Sequence, residues 1–138
     1  MKYSMESLGL APIINAAGSV THLSASPIAA DIAIAMAAAA QSSIDIADAQ
    51  ARASAVIAEH TGAEAGIVTS GASAGMLLGA AACLAGLDAR AMDRLPDTAG
   101  MRNEFIVPRS HRNSYDHAVR AAGGRFIEVG VADRLVGV

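Results

Sequence analysis

Serine hydroxyls and small residues alternate between positions 69 and 75, in the run TSGASAG. The run joins a predicted strand, residues 66–69, to a predicted helix, residues 72–85. At the start of a helix the free N–H groups carry partial positive charge, and serine hydroxyls add further hydrogen bonds. The chemistry that this pattern predicts is binding of an anion such as a phosphate. An ordinary turn whose serine caps the helix fits the same residues.

The same run contains G-x-S-x-G, the pattern of the nucleophile elbow in α/β-hydrolases, with Ser73 as the nucleophile. That interpretation requires an acidic residue and then a histidine further along the chain, and both His111 and His117 follow. They belong to the next strand–helix unit, which is early for the larger hydrolase sheet. No HGGG-type oxyanion sequence precedes Ser73. We therefore keep a hydrolase as the less favoured alternative.

The sequence lacks the motifs of several other chemistries. It has no G-x-x-x-x-G-K, no G-x-G-x-x-G and no H-E-x-x-H motif. His111 and His117 are six positions apart and do not share a helix face, so no metal site is expected. The single cysteine, Cys83, excludes an internal disulfide framework, and its alanine and leucine neighbours predict a buried thiol.

The elements that would position these residues follow from the apolar pattern and the turn signals. Helices are predicted over residues 26–40, 45–60, 72–85 and 111–122, and strands over residues 66–69, 105–107 and 125–129. Ser26-Pro27 is a start signal for the first helix, and Gly62 is a stop signal for the second. Residues 87–102 are predicted to be irregular. Because strands and helices alternate, the expected fold class is α/β, with a partial parallel-type sheet and flanking helices.

Composition and charge exclude several classes of protein. The chain has 138 residues, of which 53% are hydrophobic but only 3% are aromatic, because alanine supplies the excess. A net charge of −3 leaves no basic surface of the kind that binds nucleic acid. No apolar signal region precedes Glu6, and polar residues interrupt the uncharged stretch 65–87. We expect a cytoplasmic protein without a membrane span.

Several runs together resemble one enzyme family. They are INAAGSVT at 14–21, TGAEA at 61–65, VTSGASAG at 68–75, LPDT at 95–98 and the stretch 108–130. In these runs the chain resembles the selenocysteine-synthase-like group, related to L-seryl-tRNA selenium transferase, of fold-type I pyridoxal-phosphate enzymes. The resemblance covers nearly all of the chain but only the front part of a typical member.

The resemblance implies a cofactor, pyridoxal 5′-phosphate, and a set of residues to hold it. The cup for the cofactor phosphate corresponds to Ser70, Gly71, Ala72 and Ser73. His111 falls where such enzymes place the side chain that stacks on the pyridine ring, and Thr21 and His22 fall in a loop that approaches the substrate.

The resemblance also implies a substrate class and an organisation of the chain. The substrate would be a small amino-acid-like molecule, and the reaction either selenium transfer on seryl-tRNA or loss of ammonia from an amino-sugar acid. Residues 1–62 would form a helical dimer-contact region and residues 63–138 the start of the cofactor-binding domain. A homodimer or a higher homo-oligomer is expected.

One departure from the family concerns catalysis. The family uses a Schiff-base lysine to hold the cofactor aldehyde, but the only lysine of this sequence is Lys2. No catalytic residue can therefore be assigned. We expect the front portion of an enzyme: a fragment, a truncated reading frame or a decayed copy. The alternative is a non-catalytic remnant that binds a phosphate ligand or a partner protein.

Overall fold

The computed structural model describes residues 4–131, which divide into two compact units with the boundary between Asp45 and Ile46. The only lysine, Lys2, lies outside the described residues. Within residues 4–131 no helix combines the length and the apolar character that crossing a bilayer requires. The predicted division into residues 1–62 and 63–138 rests on the family resemblance and stays a prediction.

The first unit is built from two short turns of 3-10 helix and one α-helix. These are Glu6–Leu8, Thr21–Leu23 and α1, Ala30–Ala39. The predicted start of α1 at Ser26 is wrong, because the Ser26 hydroxyl pairs with the hydroxyl of Ser19 at 3.1 Å. Ala29, the residue before the helix, is extended, and the helix begins without a side-chain cap. No residue of α1 is buried.

The second unit begins with helix α2, Ile46–Thr61, close to its predicted bounds. The predicted stop at Gly62 is confirmed. Gly62 has φ +74°, and its N–H donates to the carbonyl of Ala58 at 2.9 Å. Glycine adopts this left-handed conformation without steric cost, which is why it ends helices so often.

The predicted strand over residues 66–69 is wrong, since no strand in the described part of the chain pairs with it. Side chains of α2 satisfy its backbone instead. The Gln50 amide donates to the Val68 carbonyl at 2.7 Å and accepts from the Val68 N–H at 3.0 Å. The Ser54 hydroxyl accepts from the Gly66 N–H at 3.0 Å. This segment is thus an extended lead-in to the next helix.

Helix α3, Ala72–Ala85, has its predicted bounds. The predicted burial of Cys83 is wrong, because Cys83 is exposed. The helix buries only Ala80 and Ala85, and although Cys83 lies one turn from Ala80, the buried surface of α3 does not extend to its thiol.

Residues 87–102 are predicted to be irregular, but Ala89–Arg94 form helix α4. Its start is capped by the carboxylate of Asp88, which accepts from the N–H groups of Arg90 at 2.9 Å and Ala91 at 3.4 Å. The prediction of irregular structure is therefore wrong for this segment, because an N-cap lowers the free energy of a short helix.

The sheet of the second unit has two parallel strands, β1 (Glu104–Pro108) and β2 (Arg125–Val129). Phe105 lies opposite Phe126 in the register. Two of the predicted strands and the parallel orientation are confirmed. The class is therefore mixed α/β, with a small parallel sheet and flanking helices.

Between the strands, the predicted helix 111–122 is shorter than expected. A 3-10 turn, Arg109–His111, follows β1, and helix α5 spans only Asp116–Ala121. The cause is Asn113, whose side chain donates to the His111 carbonyl at 3.0 Å and accepts from the Tyr115 N–H at 2.8 Å. Asparagine competes in this way with the backbone bonds of a helix.

The core of the second unit is small and rich in alanine. Its buried members and the side chains packed on them are Ala80, Val119, Ala122, Ala81, Leu84, Phe105 and Phe126. The two phenylalanine rings lie 6.5 Å apart between centroids. In residues 4–131 no large side chain is fully buried. The packing therefore depends on close approach of small residues.

Candidate functional site

The start of α3 is shaped by Gly71, the residue before the first helical turn. Gly71 has φ +133° and ψ 168°, a conformation that a residue with a Cβ rarely adopts. Its carbonyl accepts from the Thr69 hydroxyl at 3.0 Å and from the Gly75 N–H at 3.0 Å. The turn between the extended segment 66–69 and α3 is thus fixed by bonds on its carbonyl side.

The N–H side of the same turn is open. Within residues 4–131 the N–H groups of Ala72, Ser73 and Ala74 have no hydrogen-bond acceptor, and no side chain caps the helix. The hydroxyls of Ser70 and Ser73 are exposed and make no hydrogen bond to any described residue. Unpaired donors at a helix start attract anions, and the first turn holds no acidic side chain to compete.

Helix α4 provides a contrast within the same unit. There the carboxylate of Asp88 already occupies the N–H groups of the first turn. The start of α3 therefore differs from that of α4 in offering free donors. The structure brings together the predicted set Ser70, Gly71, Ala72 and Ser73 at one helix end.

The predicted residue His111 ends the 3-10 turn that follows β1. Its ring is exposed and makes no hydrogen bond within the described part of the chain. Its backbone carbonyl is held by the Asn113 side chain at 3.0 Å. Because β1 and β2 are parallel, the turn lies at the sheet edge where both strands end.

Around this turn lies a group of charged side chains that the sequence did not single out. We name Arg109, Arg112, Asp116 and Glu128 the charge network. Arg112 bonds to both Asp116 and Glu128, and Arg109 Nε donates to Glu128 Oε2 at 3.1 Å. The i, i+4 spacing of Arg112 and Asp116 could have predicted their ion pair from the sequence. The contact with Glu128 could not be predicted in this way, because Glu128 is distant in sequence.

The charge network is anchored in the core. Asp116 is only 5% exposed, and the Arg112 guanidinium lies 4.8 Å from the centre of the Phe126 ring. The hydrogen bond from Arg112, stronger than the opposing effect of burial, lowers the pKa of Asp116 below its usual value. The same hydrogen bond raises the pKa of Arg112. Both groups are therefore charged at neutral pH.

Thr21 and His22 belong to the first unit, in the 3-10 turn Thr21–Leu23. Both are exposed. Asn15 closes the surrounding loop, because its side-chain amide donates to the carbonyls of Gly18 at 2.8 Å and Ala25 at 2.9 Å. The loop therefore presents both side chains on an organised backbone, and their role toward a substrate stays a prediction.

The alternative chemistries gain no support from the geometry. Among residues 4–131, Ser73 has no hydrogen bond to His111 or His117, as a nucleophile and its base would have. His117 instead pairs with Arg120 at 3.0 Å. The described residues also contain no group of three metal-ligating side chains.

The chain is similar to curated proteins and to solved structures, whereas no family model matches. The chain is 36% identical over 129 residues to a D-glucosaminate-6-phosphate ammonia lyase of Salmonella typhimurium (strain 14028s / SGSC 2262). It is 34% identical over 131 residues to a 5′-C-glycyluridine monooxygenase-decarboxylase of a Streptomyces species. Each alignment covers 91% of this chain.

One similar solved structure is that of a D-glucosaminate-6-phosphate ammonia-lyase, with a TM-score of 0.90 and 33% identity over 99% of this chain. The chain spans 35% and 33% of the two curated relatives and 38% of the solved chain. The ammonia-lyase side of the predicted pair of reactions thus has support, and selenium transfer stays a prediction. Over nearly all of its length, the chain is similar to about a third of an ammonia lyase that acts on an amino-sugar acid.

Proposed function

We propose that this chain forms the phosphate-binding segment of a pyridoxal-phosphate-dependent ammonia lyase acting on an amino-sugar acid or a similar amino-acid-like substrate. The observation that carries the proposal is the open start of α3. There three N–H groups and two serine hydroxyls have no partner in residues 4–131. The likeness to an ammonia lyase over 91% of the chain supports the choice of reaction.

The donors at α3 suit a phosphate monoester. Ala72 and Ser73 would donate backbone N–H groups, and Ser70 and Ser73 would donate hydroxyls. Gly71 borders open space, since no atom lies within 4 Å of a Cβ built there. Its positive φ favours glycine, because a residue with a side chain would be strained in this conformation. Pyridoxal phosphate, when bound, supplies an electron sink for charge that develops beside the amine carbon.

His111 and the first-unit residues take supporting roles in this proposal. The exposed ring of His111, free of protein hydrogen bonds in residues 4–131, would stack on the pyridine ring. Thr21 and His22 would contact the substrate. We also propose that the chain forms a homo-oligomer. Sedimentation velocity of the purified chain tests this.

The test is the affinity of the 138-residue chain for pyridoxal 5′-phosphate, measured by calorimetry. Changing Ser70→Ala together with Ser73→Ala removes two hydrogen bonds to a charged group, which costs roughly 1–3 kcal/mol. Affinity should fall by roughly 5- to 150-fold. Ser42→Ala, an exposed serine of the first unit, is the matched control and should bind as the parent does.

A second titration separates the two possible sources of the phosphate. D-Glucosaminate 6-phosphate carries a phosphate of its own, so it is titrated beside the cofactor. The proposal requires the serine variant to lose affinity for the cofactor. If only the sugar acid phosphate depends on the serines, the site is a substrate site. If neither ligand depends on them, the proposed site is wrong.

The non-catalytic alternative has one observation in its favour, that Lys2 is the only lysine of the 138 residues. A remnant would bind the phosphate at the same helix start without turnover. Because these 138 residues contain no lysine other than Lys2, binding without turnover is expected of both. A lysine encoded further along the same gene, with ammonia release from D-glucosaminate 6-phosphate by the whole gene product and cofactor, supports the lyase, whereas a gene without such a lysine supports the remnant.

A further inference from the structure

The turn that carries His111 is fixed by side chains from two neighbouring elements. Arg112 directly follows the turn Arg109–His111, and its own N–H donates to the Arg109 carbonyl at 3.3 Å. This backbone bond closes the turn. The position of His111 therefore depends on what holds Arg112.

The Arg112 guanidinium is held from two directions. Its Nε donates to Asp116, the first residue of α5, and its Nη1 donates to Glu128 on β2. The planar arrangement of guanidinium N–H groups allows one side chain to make both bonds in a fixed geometry. A lysine ammonium is a single point charge without this fork.

Packing limits the remaining freedom of the side chain. The guanidinium lies over the Phe126 ring, which packs against the core, and only 28% of the Arg112 side chain is exposed. Glu128 also bonds to Arg109, at the other end of the same turn. The carboxylate of Glu128 on β2 therefore bonds to Arg109 and Arg112, the residues at the two ends of the turn.

By contrast, the His111 side chain makes no hydrogen bond of its own to residues 4–131. Its ring would keep a constant direction only if its backbone does. We propose that Arg112 is a positioning residue, which through Asp116 and Glu128 holds His111 in place for contact with the pyridine ring of the cofactor. This inference rests on the proposed function for the identity of the ring.

The experiment compares two matched Arg→Lys substitutions on the same sheet. Arg112→Lys removes the fork at the end of the strands, whereas Arg125→Lys alters the Arg125–Glu104 pair at their beginning. Backbone order parameters of His111 are measured by NMR relaxation in the full chain. We expect the His111 value to fall from about 0.85, typical of rigid backbone, to below about 0.6 in Arg112→Lys only.

A second variant covers the case in which Arg112→Lys does not fold. Glu128→Gln keeps the shape of the side chain, removes its charge and should loosen His111 in the same way. Far-UV circular dichroism confirms that each compared variant is folded. Unchanged His111 order in a folded Arg112→Lys protein, or in Glu128→Gln if the first is unfolded, overturns the proposal. Equal loosening by Arg125→Lys also overturns it.

Titration of the same samples with pyridoxal 5′-phosphate separates this inference from the proposed function. If the parent does not bind the cofactor but its His111 order depends on Arg112, the positioning role stands and the proposed function fails. If the cofactor binds and His111 order does not depend on Arg112, the proposed function stands and the positioning role fails.

Discussion

Two glycine-to-alanine substitutions in the second unit should change stability in opposite directions. Gly124 lies against the core, where a Cβ would stand 2.7 Å from a ring carbon of Phe105 and 2.7 Å from a methyl of Val119. Ordinary van der Waals contact begins at 3.4 Å, so each neighbour would have to move by about 0.7 Å. Both neighbours belong to the core cluster and have little room to move.

Overpacking of this kind costs about 1–3 kcal/mol of the free energy of unfolding. Gly79 is the control, because it lies inside α3 and a Cβ there meets no atom within 4 Å. Alanine in an open helical position stabilises by about 0.5–1 kcal/mol relative to glycine. The two variants should therefore differ by about 1.5–4 kcal/mol.

The assay is urea unfolding followed by circular dichroism. With an m-value of about 2 kcal/mol/M, a loss of 2 kcal/mol moves the midpoint down by about 1 M. Gly124→Ala should show this decrease, and Gly79→Ala a small increase. A Gly124→Ala protein that is as stable as the parent, with an unchanged m-value, would refute the described packing of Gly124 against Phe105 of β1 and Val119 of α5.

Further predictions concern the polar contacts of the second unit. Because the hydrogen bond from Arg112 lowers the folded-state pKa of Asp116, the carboxylate stabilises the fold above its unfolded pKa of about 3.9. This contribution is lost as the pH falls below that value through the lowered folded-state pKa, so urea midpoints of Asp116→Asn should depend less on acid pH than those of the parent. Asp88→Ala removes the cap of α4 and should cost about 1 kcal/mol in the same assay, or nothing if the cap is absent in solution. Gln50→Ala should speed hydrogen exchange at the Val68 amide, and an unchanged rate there would contradict the described bond.

Local signals in the sequence were sufficient for much of the second unit. The stop of α2 at Gly62 and the bounds of α3 follow from glycine positions and apolar pattern. β1 ends at Pro108, and β2 follows the pair of glycines at 123 and 124. Each of these features depends on the conformational preference of residues close in sequence, which a single sequence displays.

The errors have physical causes that are not local. Residues 66–69 have the composition of a strand, but a strand also needs a partner, and here the Gln50 side chain satisfies the backbone instead. The late start of α5 reflects competition from Asn113. Asp88 is a helix N-cap residue that the sequence displays, but the segment after it was predicted to be irregular.

The candidate site divides in the same way. The anion-binding start of α3 was predictable, since serine and glycine at a helix start lie next to one another in sequence. The charge network was not, because Glu128 lies 16 residues from Arg112 and meets it only through the pairing of β1 with β2. Contacts across a sheet become visible only once the register is known.

The central claim is that the start of α3 binds the phosphate of pyridoxal 5′-phosphate, and amide NMR shifts of the ¹⁵N-labelled chain test it most directly. The chain is titrated with pyridoxal 5′-phosphate and, as the control ligand, with pyridoxal, which lacks the phosphate. We expect saturable shifts at the Ala72 and Ser73 amides with the phosphate ester only. The Arg90 amide, already bonded to Asp88, should not move. Absence of shifts at Ala72 and Ser73, or equal shifts with pyridoxal, would contradict the account.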